Sequence, residues 1–172
     1  MWSCNGDAAG FLGNESKNVC TWNALISAFT MNGRGEAALQ AFSKMIMENL
    51  KPDGVTFLGI LCALSRSLVD EGKRNFRIME EEFKLHPGIE QYKYMVDLLG
   101  QPGLFSEALH LVHNMDLKAD PIVWQTLLGA CQTHHNAPLG RYAARKLLEL
   151  EPTNAHKLCF IFKYICSGFY VG

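Results

Sequence analysis

The chain has 172 residues, of which 48% are hydrophobic and 19% charged, and its formal net charge is −1. That length fits a single domain, and the apolar content supports a packed core and excludes a disordered chain. A charge this close to zero excludes broad phosphate neutralisation as a source of affinity for nucleic acid, because nonspecific binding of that kind relies on an excess of Lys and Arg.

The longest clear apolar run, residues 57–64, has eight members, well short of the roughly 18 that a membrane helix needs. No membrane association is therefore expected. The opening MWSCNGDAAGFLGNESKN lacks a basic region and contains Asp7 and Glu15. It matches neither a secretory signal nor an Arg-rich transit peptide. Cysteines at 4, 20, 62, 131, 159 and 166 form no C-x-x-C pair. Most fall in helical patterns, where Cys acts as a small hydrophobe, so neither a disulfide frame nor a metal site is expected.

In chain order, residues 1–18 carry Gly6, Gly10 and Gly13. Each costs about 1 kcal/mol in a helix interior, so weak helix or coil is expected. Thr21 is positioned to cap a first helix reaching about Met31, with Trp22, Leu25, Ile26 and Phe29 as its apolar stripe. Asn32-Gly33 breaks it, and a partner helix over residues 36–48 turns Ala38, Leu39, Phe42 and Met45 inward. The next pair spans residues 55–64 and 69–85. Asp70 and Glu71 suit a helix N-terminus, and Asp70–Arg74 and Arg77–Glu81 are spaced as i,i+4 ion pairs. The third pair spans residues 90–99 and 105–115, with Pro102 at the turn, since proline is costly inside a helix. Asp120-Pro121 is a strong start signal for the fourth pair. It runs to about Thr133, then from Pro138 to about Glu151. Beyond it Phe160, Phe162, Phe169 and Tyr170 form an apolar end that calls for a cover.

These elements repeat. An aromatic opens each first helix (Trp22, Phe57, Tyr92, Trp124) at spacings of 35, 35 and 32. A small residue sits early in each second helix (Ala38, Gly72, Ala108, Gly140), and a bulky apolar group follows seven positions later (Met45, Met79, Met115, Leu147). Each unit closes with Pro52-Asp53, Pro87-Gly88, Ala119-Asp120 or Pro152-Thr153. A period of this size marks a helical array. The small residue admits close helix approach, and the residue two turns on faces the same seam.

On these motifs the sequence resembles the pentatricopeptide repeat family, and more narrowly the C-terminal part of a plant P-L-S member. Residues 19–53 (WNALIS, NGRGEAALQAF, LKPD) are similar to a P-type repeat. Residues 54–88 (VTFLGIL, LVDEGKRNF) resemble an L-type repeat, and residues 89–120 (YMVDLLG, SEAL) an S-type repeat. Residues 121–154 (VWQTLLGAC, LLELEP) resemble an extension motif. Residues 1–18 then stand as the remnant of a preceding repeat, and residues 155–172 as a truncated second extension motif. The implied fold is all-α, a right-handed α-solenoid of antiparallel helix pairs, about four units with partial units at both ends. Tetratricopeptide repeats share the paired helices and bind peptides.

The resemblance implies single-stranded RNA as partner, with one base read per repeat by two or three side chains. The two principal positions are the fifth and last residues of a unit. In the first unit these are Asn23 and Asp53, with Cys20 beside the base, and the pair implies a preference for uridine. Lys93 and Asp120 hold the positions in the third unit and are weaker candidates. Leu58 and Gly88 offer no side-chain donor or acceptor, and Gln125 lies in a motif that resembles protein-contact elements. Asn23 as a helix-start polar residue and Asp53 as a helix cap is the structural alternative.

Related proteins guide organellar RNA editing, in mitochondria or chloroplasts, and some carry a deaminase. That chemistry needs H-x-E with a distant P-C-x-x-C, and neither motif is present. No catalytic role and no cofactor are expected, with any editing deaminase supplied in trans. His110 and His113, one helical turn apart, lack further ligands. Cys131, His134 and His135 lack paired zinc spacing. The alternatives are a protein-interaction module or an inactive truncated copy. The second is suggested by the leader's composition and by a one-residue deletion before Leu68.

Overall fold

A helix pair whose apolar stripe is wider than one partner can cover must stack on another pair, and the computed structural model shows that stacking. It describes residues 18–64, 69–115 and 120–152. Eight helices occupy them: α1 (Val19–Met31), α2 (Gly35–Met47), α3 (Gly54–Leu64), α4 (Val69–Glu81), α5 (Ile89–Gly100), α6 (Phe105–His113), α7 (Pro121–Thr133) and α8 (Ala137–Leu150). Among the described residues there is no strand, so the architecture is the all-α solenoid expected from the repeat. The expectations for residues 1–17, for the turn before Leu68 and for the apolar end near Phe160 fall outside the described residues.

The odd-numbered helices form one continuous layer, α1 against α3, α3 against α5 and α5 against α7. Each even-numbered helix pairs with the odd one before it. In addition, α2 packs on α3 and α4 on α5, so both face the next unit as well. The four repeat aromatics are all buried, as are Ala38, Gly72, Ala108 and Gly140. Met45, Met79 and Leu147 join them, while Met115 lies beyond the end of α6 and only partly inside. Edge-on ring pairs tie the units together: Phe42 of α2 with Phe57 of α3 at 5.5 Å, and Phe76 of α4 with Tyr92 of α5 at 5.6 Å. Such pairs contribute about 0.5–1.5 kcal/mol beyond burial. Two core clusters result, and they divide inside α3 and α4. Phe57, Ile60, Leu64 and Met79 pack backward on the first unit, whereas Leu61 and Phe76 pack forward on the third and fourth.

Several local expectations are corrected. Thr21 is not the first cap. Asn18 is, its Oδ1 accepting the Thr21 backbone N–H at 2.9 Å. A side chain caps from outside the first turn, and the helix starts at Val19, two residues before Thr21. Helix α4 ends at Glu81, four residues short of Leu85, where Lys84 adopts a φ of 55° and the Leu85 N–H returns to the Met79 carbonyl. Arg74 does not pair with Asp70. It lies 3.9 Å from Glu71, an exposed pairing worth little. The starts at Asp120 and Asn136 are side-chain capped, by bonds to the N–H groups of Ile122 (2.9 Å) and Leu139 (3.3 Å).

The fit at the joints is close. A Cβ on Gly72 would stand 2.1 Å from Leu98 Cδ2 of α5, whereas one on Gly129 of α7 meets nothing within 4 Å. Gly72→Val should therefore destabilise the fold by about 1–3 kcal/mol through overpacking. Gly129→Ala should stabilise it by about 0.5–1 kcal/mol through helix propensity. Urea denaturation of the two variants checks both, and opposite signs are the diagnostic result.

Candidate nucleic-acid interface

The stack brings the start of α3 against the first turn of α1, and there the two strongest sequence candidates meet. Asn23 Nδ2 donates to Asp53 Oδ1 at 3.0 Å, although the residues are 30 positions apart. Asp53 also caps α3: its Oδ1 accepts the Thr56 backbone N–H at 2.9 Å. In return the Asp53 N–H donates to Thr56 Oγ1 at 3.1 Å, a reciprocal closure of the helix start. The Thr56 hydroxyl reaches Asn23 Oδ1 at 2.6 Å and lies 3.0 Å from Asp53 Oδ1. With one proton to give, the shorter distance directs it to Asn23. Asp53 is thus the cap of α3, as in the structural alternative given above, and also the hydrogen-bond partner of Asn23.

Asn23 and Asp53 are half-buried, and Thr56 is fully buried. Cys20 is exposed one turn before Asn23, and Val55, between Asp53 and Thr56, is 56% exposed despite its apolar side chain. Two small or apolar exposed groups therefore accompany the polar pair. Thr56 and Val55 escaped the sequence analysis because each fits an ordinary helix start. The available signal was the S/T at the third helical position after an Asp cap, half of a capping box.

Burial works against ionisation of Asp53. The backbone N–H of Thr56, the Asn23 amide, the Thr56 hydroxyl and the Val55 N–H outweigh it and hold the carboxyl below its ordinary value. A depressed folded-state value stabilises the protein above the unfolded value, and that contribution is lost as pH falls through the folded one.

The weaker candidates are not brought together. Lys93 Nζ pairs with Glu90 at 3.1 Å and lies 5.1 Å from the Tyr94 ring centre, while Asp120 serves as the α7 cap. In the second unit Leu58 is half-buried, and Gly88 supplies only a backbone N–H, which donates to Gln91 Oε1 at 3.0 Å. Gln125 is exposed. Beyond the Asn23 site a mixed cleft of about 930 Å³ is lined by Arg34, Glu36, Cys62, Tyr94, Asp97 and Gln101, among others. A hydrogen bond with Cys62 is the main influence that pushes the Tyr94 phenol up to about 12. The charged lining of the cleft is Arg34 with the carboxylates Glu36 and Asp97.

His113, His134 and Cys131 have packing partners. His113 Nε2 lies 3.1 Å from Tyr142 Oη, beside Trp124. His134 Nε2 donates to the Gln101 carbonyl at 2.7 Å and its ring meets Phe105 edge-on. Cys131 is buried, and desolvation pushes its thiol up to about 11. Among the described residues no three His, Cys, Asp or Glu side chains gather to hold a metal, and no helix is long and apolar enough to cross a membrane.

Residues 17–66, which contain the whole Asn23–Asp53–Thr56 group, match the PPR repeat family model. Over that stretch the chain is similar to the pentatricopeptide repeat family. Relatives support the same family over most of the chain. A chloroplastic pentatricopeptide repeat-containing protein of Arabidopsis thaliana is 42% identical over 156 residues, 90% of this chain and 18% of its own length. A putative mitochondrial one from the same plant is 42% identical over 139 residues, 80% of this chain and 22% of its own. A third is 43% identical over 144 residues, 83% of this chain and 28% of its own. The chain thus spans only about a fifth to a quarter of the relatives it matches. Among solved structures, the PPR domain of a protein-only RNase P from Arabidopsis thaliana, in complex with tRNA, superposes with a TM-score of 0.70. Its identity is 14%, covering 88% of this chain and 82% of that one. A pentatricopeptide repeat protein from maize superposes at 0.62 with 16% identity, covering 92% and 25%. At such identities the likeness is one of fold.

Asp53→Asn retains an oxygen able to cap but removes the ionisable group. We expect its stability to fall less steeply than that of the parent chain below about pH 5, measured by urea denaturation across that range. A parallel decline in both proteins would contradict the bonding assigned to Asp53.

Proposed function

We propose that the chain is a sequence-specific, single-stranded RNA-binding segment of a plant P-L-S pentatricopeptide repeat protein, with an extension motif at residues 121–154. It acts as an adaptor in organellar RNA processing or editing, in a mitochondrion or chloroplast, and any deaminase or other editing factor is a separate protein. The observation that carries this is the hydrogen-bonded pair of Asn23 and Asp53, one half-buried polar group that joins α1 to the start of α3 and is accompanied by exposed Cys20 and Val55. A base placed against the pair would have polar groups for its edge and Cys20 and Val55 for its faces. The family match over these residues and the tRNA-bound structural neighbour support the proposal.

The electrostatics shape the expected binding. Arg34 and Lys93 stand among Glu36, Glu90 and Asp97, so affinity would come from base contacts more than from phosphates. With about two cations engaged, the slope of log K against log salt for a single strand should be shallow, near −1 to −1.5. Lys93 and Asp120 would contribute less than the first unit, having no mutual bond to organise them.

A protein partner is the second reading. The cleft between α4, α5 and α6 favours it, with a volume of about 390 Å³ and Phe76, Met95, Leu99 and Leu111 in its lining.

Fluorescence anisotropy with uridine-containing and uridine-free single strands tests the proposal. Asn23→Ala and Asp53→Ala should each weaken binding to the uridine strand by 1–3 kcal/mol, roughly 5- to 150-fold, with helical circular dichroism retained. Unchanged affinity in both variants would remove the base-readout assignment.

A further inference from the structure

We propose that Thr56, a residue of the second unit, sets the base selectivity of the first by fixing the orientation of the Asn23 amide. The inference rests on Asn23 and Asp53 acting as the base-contacting pair.

An Asn amide can present either its oxygen or its NH2, and its partners decide which. Here both ends are keyed. Asp53 Oδ1 is an acceptor and requires the Nδ2 side, at 3.0 Å. The Thr56 hydroxyl accepts the Asp53 N–H and gives its single proton to the nearer of two acceptors, Asn23 Oδ1 at 2.6 Å rather than Asp53 Oδ1 at 3.0 Å. Thr56 is 0% exposed and held within the core face of α3, so water does not replace it readily. With these bonds made, the pair has left one Asn23 N–H donor and the second Asp53 carboxylate oxygen, an acceptor. The complementary edge is a keto oxygen beside an imino N–H, as in uracil. Cytosine places a bare ring nitrogen where uracil carries that N–H, and two acceptors would then face each other. Releasing the amide oxygen would leave Asn23 held at its Nδ2 end alone, free to swing on the bond to Asp53, and uracil would lose part of its advantage.

The third unit offers an internal comparison. Gln91 occupies the position equivalent to Thr56 and is likewise buried. Its Oε1 accepts the Gly88 N–H at 3.0 Å and its Nε2 donates to the Gly54 carbonyl at 2.9 Å. It closes the helix start and reaches back to the preceding unit in the same way. Because that unit has Leu58 and Gly88 in the two contact positions, the reach ends on main chain and orients no reading group.

The test compares uridine and cytidine single strands on the full chain, as wild type, Thr56→Val, Thr56→Ser and Asn23→Ala. Thr56→Val should lower the uridine-over-cytidine ratio on the order of fivefold, the effect of about one hydrogen bond, and Thr56→Ser should restore it. If Thr56→Val keeps the wild-type ratio while Asn23→Ala loses it, the Thr56 assignment is overturned and the reading pair stands. If the wild type shows no uridine preference, the reading pair fails and Thr56 with it. Should Thr56→Val not fold, NMR of the wild type decides. Two resolved, slowly exchanging Asn23 side-chain amide protons are expected, and an averaged, solvent-exchanging amide would overturn the assignment.

Discussion

A helix pair in this chain has more apolar surface than one partner helix can cover, so each unit depends on the next for its core. The dependence is physical and specific. Met79 and Phe57 complete the first unit's cluster, while Leu61 and Phe76, on the same two helices, belong to the other cluster. The second unit is thus shared between two cores, Phe57 and Met79 facing back to the first unit and Leu61 and Phe76 facing forward to the third and fourth. The odd-numbered helices are held in register because Gly59 and Gly100 allow close approach, with Ile26 and Ala130 where a side chain would otherwise sit. A solenoid built this way has no single centre, and its stability is distributed over joints.

The same joints position the candidate site. A helix start leaves backbone N–H groups without partners, and Asp53 satisfies one for α3. Because α3 lies on α1, the cap stands beside Asn23, and one carboxylate serves both the helix and the side chain of the preceding unit. Spacing within a repeat therefore becomes geometry between repeats. The third unit starts with a comparable closure, through Gln91, without a polar residue to receive it. The chain as described contains one organised polar pair of this kind, consistent with a short segment that would read one base strongly and others weakly.

The periodic features were legible in the sequence. Trp22, Phe57, Tyr92 and Trp124 announce the first helices, and all are buried. Asp120-Pro121 announces α7 and caps it as expected. What escaped was short-range competition between equivalent polar groups. Asn18 and Thr21 are both good caps, and only the backbone path selects Asn18. Asp70 and Glu71 compete for Arg74, and the shorter arc wins. At the site, Asn23 and Asp53 were found through their repeat positions. Thr56 was not, because its role arises only when α3 settles against α1. The exposure of Val55 was hidden for the same reason.

The most direct measurement is NMR shift mapping of a short uridine-bearing RNA on the isotopically labelled chain. The largest changes should fall on Cys20, Asn23, Asp53 and Val55, with the Asn23 side-chain amide among them, and should be much smaller with the cytidine strand. Changes confined to the α4–α6 cleft around Phe76 and Leu111, or none at any RNA concentration, would contradict a base-reading role for the first joint.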